Sequence, residues 1–196
     1  MKRIIIGVAI ATTGLTACNN NREIKQKEVL KDTSVAVQQE TKDSTGKQTV
    51  SVVPVKEIIA DYLQIKNALA KDNGKDAATA GNALIATLSK VDTKNLPEQK
   101  MKSYMDVAGD IKEQAEHIGA HGGKIELQRQ YFIMLSKDIA DLIKSVGNDG
   151  QILYKDFCPM ANDGKGATWI SEVKEIKNPY LGSKMPDCGT VKENIK

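Results

Sequence analysis

The sequence predicts a mainly α protein: an antiparallel four-helix bundle followed by an irregular, cysteine-bearing lobe with room for short strands. Three observations carry that prediction. Apolar residues recur at 3-4 spacing in four successive segments between residues 55 and 146. Short breaks separate them, such as KDNG (71–74), GAHGGK (119–124) and GNDG (147–150). Beyond residue 150 the helical period stops, and Pro159, Pro179 and Pro186 appear with several glycines and two cysteines. Amphipathic helices on short connections hide their stripes against one another, which is the logic of a bundle.

The chain opens with MKR, a basic n-region, and IIIGVAIATTGL, an apolar stretch of signal-peptide length. That stretch is too short to span a bilayer comfortably as a helix. LTAC (15–18) follows and resembles a bacterial lipobox, so residues 1–17 read as a lipoprotein signal peptide and Cys18 as the lipidated mature N-terminus. Two or more acyl chains anchor a protein stably. Residues 19–52 are rich in Asn, Gln, Lys, Thr and Ser without a sustained apolar stripe, a flexible tether by composition. Residues 53–196 then form a single domain of bundle plus lobe.

The first helix carries Val55, Ile58, Tyr62, Ile65 and Leu69 on one face, with Pro54 in its first turn. The second carries Ala77, Ala80, Leu84, Leu88 and Val91, small enough for close approach. NLPEQK opens the third, whose face is Met101, Tyr104, Ala108, Ile111, Ala115 and Ile118. The fourth carries Ile125, Phe132, Leu135, Ile139, Leu142 and Val146, with Gln128 the one polar residue in register. Arg129 stands beside it, placed to pair with a carboxylate and pin the lobe to the bundle. In the lobe, ILYKDF (152–157) and TWIS (168–171) have strand character.

Composition narrows the function. The formal charge is +3, and removing Lys2 and Arg3 with the leader leaves 26 basic against 25 acidic residues. No arginine-rich or aromatic-basic patch stands out, so nucleic acid is excluded as a partner. Eight aromatic residues (two Phe, one Trp, five Tyr) leave the core mostly aliphatic. With Cys18 spent on lipid, Cys158 and Cys188 are the remaining thiols. In an exported protein such a pair points first to a disulfide.

Several motifs resemble a known family, the Bacteroidota domain of unknown function number 3347, which also occurs appended to copper–silver-type heavy-metal efflux adaptors. They are YLQIKNAL (62–69), LQRQYFIMLSKDIADLIK (127–144), LYKDFCPMANDGKGATWIS (153–171), EIKNPYLGSKM (175–185) and CG (188–189). The chain departs from the family pattern at Pro186, where Leu is common. The resemblance implies a metal-associated setting rather than a reaction, with an efflux adaptor or other envelope metal protein as partner.

Cys158, Met160, Met185 and Cys188 bring four sulfur atoms into 31 residues of sequence. Thiolates and thioethers select Cu(I), and thiolates with imidazole suit zinc or copper. His117 and His121, the only histidines, are four apart on one helix face, a spacing that suits a metal pair. These six residues form the candidate metal set, with copper first and zinc second. The bland readings stand beside it. Methionines commonly fill core gaps, His121 suits a helix C-terminus, and a Cys158–Cys188 disulfide would close a loop worth about 3–4 kcal/mol. Trp169, Asn178, Pro179 and Tyr180 read as the lobe's own core. No G-x-S-x-G, H-E-x-x-H or P-loop is present, so the chain reads as a binding protein and not an enzyme. The expected protein is a lipoprotein of the cell envelope, on the periplasmic face of the outer membrane, that binds a soft metal as buffer, sensor or delivery module. The competing expectation is a metal-free, disulfide-stapled module docking on an efflux or envelope assembly.

Overall fold

A computed structural model describes residues 53–196 apart from residue 95. The leader, Cys18 and the tether lie outside the described residues. Four helices come first: α1 (Val55–Ala70), α2 (Gly74–Leu88), α3 (Glu98–Ala120) and α4 (Ile125–Val146). Each packs on the next, and α4 returns to α1, closing an antiparallel bundle in chain order. Ile58, Tyr62, Ile65, Leu69, Leu84, Ile111, Ala115, Ile118, Phe132, Leu135, Ile139 and Leu142 are buried between them. These are the residues of the four apolar stripes.

Local chemistry sets the boundaries. Asn73 caps α2: its side chain accepts from the Asp76 N–H at 3.1 Å and donates to the Asp76 carboxylate at 2.7 Å, a reciprocal arrangement that satisfies helix-end donors. Pro54 and Pro97 occupy the N-cap positions of α1 and α3. Val91 lies beyond the end of α2, half-buried against the core. Gly81 lets α2 and α3 approach closely, since a Cβ there would stand 2.9 Å from the Ala115 carbonyl. Gln128, the polar residue in the α4 stripe, is buried because its amide donates to the carbonyls of Gly74 and Ile118, both at 2.9 Å.

The lobe is more regular than its sequence shows. β1 (Leu153–Cys158), β2 (Ala167–Ser171) and β3 (Thr190–Ile195) form an antiparallel sheet in the order β2-β1-β3. A short 3-10 turn, Gly182–Lys184, precedes β3. The two strands expected from sequence are present. β3 is not visible in the sequence because it is largely exposed and mostly polar, so no alternation betrays it. β2 lies against α4, and Ile170 and Trp169 are fully buried there and under the lobe's loops.

Candidate functional site

Cys158 ends the central strand. Strand alternation puts it on the same face as Asp156, opposite Ala167, and it is fully buried. Cys188 sits half-buried in the loop before β3. Asn178 braces that loop from several sides. Asn178 donates its side-chain N–H to the Cys188 carbonyl at 2.7 Å, and its side-chain oxygen accepts from the N–H groups of Tyr180 at 2.8 Å and Leu181 at 2.9 Å. Its backbone N–H reaches the Pro186 carbonyl at 2.8 Å. The conformation of the NPYLG stretch thus fixes where Cys188 stands.

Both thiols are free, and the pairing of Phe157 with Thr190 brings the end of β1 beside the loop that carries Cys188. A hydrogen bond between the two thiols, followed by burial and by the proximity of Cys158's charge, pushes the Cys188 thiol above its ordinary range. The Met160 backbone works the other way. A group that binds metal as a thiolate must first lose that proton, so metal and proton compete here.

Met160 lies in the turn after β1 and Met185 at the end of the 3-10 turn, 54% and 38% exposed. Neither fills a core gap. The Met185 carbonyl accepts from the Cys188 N–H at 3.3 Å. The histidines are elsewhere. His117 stacks on Tyr131 of α4 with ring centroids 4.2 Å apart, and His121 Nδ1 bonds the His117 carbonyl at 2.6 Å. His121 is the C-cap of α3. α3 packs on α2 and α4 and touches no strand, so the structure does not bring His117 to the cysteine lobe. Among the described residues no group of three or more His, Cys, Asp or Glu is close enough to hold a metal ion. What the fold assembles from the six candidates is the Cys158–Cys188 pair, with Met185 bonded to Cys188 through its backbone carbonyl.

A charged cluster flanks this site that the sequence does not announce. Lys66 of α1 is fully buried, its Nζ 2.6 Å from Glu172 and 3.4 Å from Ser171 Oγ. Burial lowers the Lys66 pKa against the pull of Glu172. Asp156 is fully buried with neither carboxylate oxygen hydrogen-bonded, and its cross-strand neighbour Trp169 has an unpartnered indole N–H. Burial pushes Asp156 up to about 6, with Lys66 opposing. Position offers a signal for both: Lys66 is four residues after Tyr62 in the α1 stripe, and Asp156 two before Cys158 in β1.

The lobe is pinned to the bundle by Arg129, as its position in the sequence predicts. Its guanidinium pairs with Asp72 and donates to the carbonyls of Pro179 at 2.9 Å and Leu69 at 3.0 Å. Trp169, Asn178, Pro179 and Tyr180 are buried and form the lobe's interior.

Fold and site together define a helical-bundle protein with a dithiol lobe. Residues 58–151 match the family model described as Protein of unknown function (DUF3347). The match spans the bundle and ends just before β1, so Cys158 and Cys188 lie outside it. No curated protein and no solved structure matches the chain.

Proposed function

We propose that the chain is an envelope lipoprotein whose Cys158–Cys188 pair binds a soft metal ion, copper(I) before zinc, as a buffer, sensor or delivery module for an envelope metal-handling system. The observation that carries this reading is the placement of two free thiols, Cys158 at the end of β1 and Cys188 two residues before Thr190, which pairs with Phe157 across the sheet. Two thiolates with thioethers nearby suit Cu(I). Zinc asks for four nitrogen, sulfur or oxygen ligands, and no third such side chain joins the pair among the described residues. The envelope location rests on the basic leader, its apolar stretch and LTAC (15–18), with no acidic run after Cys18.

A second reading draws on the same placement. Oxidation of the pair would tie the central strand to the loop before β3, and the protein would serve as a stapled module docking on an efflux or envelope assembly. Cu(I) competition titration of the reduced full chain, beside the Cys158→Ser/Cys188→Ser variant, separates the two. Tight one-to-one binding that the variant loses is the expected result. Weak binding equal in both, with no free thiol in the air-exposed protein, would overturn the metal reading in favour of the staple.

A further inference from the structure

We propose that Met134 and Met160 form a second soft-metal site, a thioether pair in the cleft between α4 and the lobe that receives Cu(I) and passes it to Cys158 and Cys188. The proposal rests on the soft-metal reading of the cysteine pair and extends it to a route of entry.

Thioether placement is the first ground. The exposed large apolar side chains among the described residues are Met105, Met134, Ile152, Met160 and Met185, and only one of these is not a methionine. The buried core holds Ile, Leu, Val, Ala and aromatics and no methionine. Met134 is 44% exposed, although α4 offers buried positions one residue away at Leu135 and two away at Phe132. A methionine used for packing would be inside.

Position is the second ground. Met134 shares a helix face with Glu126 and Gln130, at intervals of four, and that face looks across to the turn after β1. Met134 and Met160 both line a cleft of about 650 Å³ there. Tyr131, which carries the histidine stack, belongs to another flank of the helix. The charges around the cleft, Glu126 and Asp163 against Arg129 and Lys184, offset one another. Field strength therefore does little to choose a ligand, and ligand softness does more.

Continuity is the third ground. Met160 lines the cleft and stands two residues after Cys158 in the chain, so one short stretch of chain joins the two sites. The chemistry runs downhill along that path. Thioethers bind Cu(I) without losing a proton and hold it weakly. Thiolates bind it more tightly but must first be deprotonated. In the transfer, bonds from copper to the two methionine sulfurs break and bonds to the two cysteine sulfurs form. The two S–H protons pass to solvent, copper stays Cu(I), and no electron moves.

The test uses the full chain with ¹³C-methyl-labelled methionine and Ag(I), a soft and redox-inert probe, in the Cys158→Ser/Cys188→Ser background. The Met134 and Met160 methyl signals are expected to shift together, with Met105 as an unmoved control, and Met134→Leu should weaken that binding by about tenfold or more. With the cysteines restored, Met134→Leu should slow Cu(I) capture and leave the final stoichiometry unchanged. Methyl signals that stay still, or that move no more than Met105, overturn the proposal. So does a cleft that answers to an apolar peptide and not to Ag(I). Shifted methionines without cysteine-dependent Cu(I) binding would sink the thiol reading and leave the thioether pair standing. The reverse pattern would do the opposite.

Discussion

Asp156 is buried without a hydrogen-bond partner on either oxygen, and the consequence is a pH dependence of a particular sign. Its folded-state pKa is raised by burial to about 6, above the unfolded value of about 3.9. The native state therefore holds the proton more tightly. Below about pH 4 the carboxyl is neutral in both states and costs nothing. Between about pH 4 and 6 the unfolded chain ionises first, stability falls, and above 6 the penalty is constant. A shift of about two units corresponds to on the order of 2–3 kcal/mol. Asp156→Asn should remove this slope. Urea midpoints at pH 4.5 and 7.5 are the measurement, with the wild type losing stability relative to the Asp156→Asn variant on going to the higher pH. Parallel curves would mean that Asp156 is solvated or paired in solution. The sequence shows Asp156 in a strand but not its surroundings, because Lys66 of α1 and Glu172 are brought near it by folding alone. Cys158 and Cys188 are legible as a pair by counting alone. That His117 and His121 stand apart from them is not legible, since helix spacing says which residues share a face and nothing about what that face meets.

At the scale of elements, the seam between bundle and lobe is concentrated on a few groups. Asp72 accepts from the Ser183 N–H at 2.9 Å and pairs with Arg129, and these bonds, Ser183's first, bring its carboxyl down to about 2. A depressed acid contributes stability above its unfolded pKa of about 3.9 and loses it as pH falls toward 2. The seam should therefore loosen in acid below about pH 4. Gly182 completes it: its φ is +55°, and a Cβ there would overlap the Asp72 carboxylate and the Arg129 guanidinium. Gly182→Ala is expected to cost about 2 kcal/mol or more. Hydrogen exchange should then quicken across residues 178–184 while α2 and α3 keep their protection. Unchanged exchange at 178–184 would show the seam to be held elsewhere. The four helices are legible because each has a buried face at a 3.6-residue period, with Gln128 the polar residue that the α4 stripe already shows in sequence. The lobe is legible only in part. β1 and β2 carry apolar residues toward a core, whereas β3 is exposed along most of its length and leaves no pattern. Arg129 stands out in the sequence, but its partner Asp72, 57 residues earlier, is set by folding alone.

Across the whole molecule, the bundle depends on the lobe that follows it. Tyr62 of α1 bonds Ser136 at 2.9 Å and also accepts from the Ile170 N–H at 3.0 Å. Tyr180 donates to the Thr168 carbonyl and packs against Phe132 and Trp169. Lys66 draws both of its side-chain oxygen partners, Ser171 and Glu172, from the lobe. Removing the lobe would uncover Tyr62, Phe132 and the stem of Lys66, and the bundle would lose the apolar burial that the lobe supplies. A chain cut after Gln151, where the family match stops, should therefore melt at least about 10 °C below the full chain, or lose cooperative melting altogether. In the full chain, the far-UV signal of the helices and the fluorescence of Trp169 in the lobe should follow one transition. If the shortened chain melts as high and as sharply as the full one, the bundle is self-sufficient. The dithiol lobe could then bind and release metal without disturbing the helices. If the two signals coincide and the cut chain fails, metal or a disulfide at Cys158 and Cys188 acts on the stability of all four helices at once.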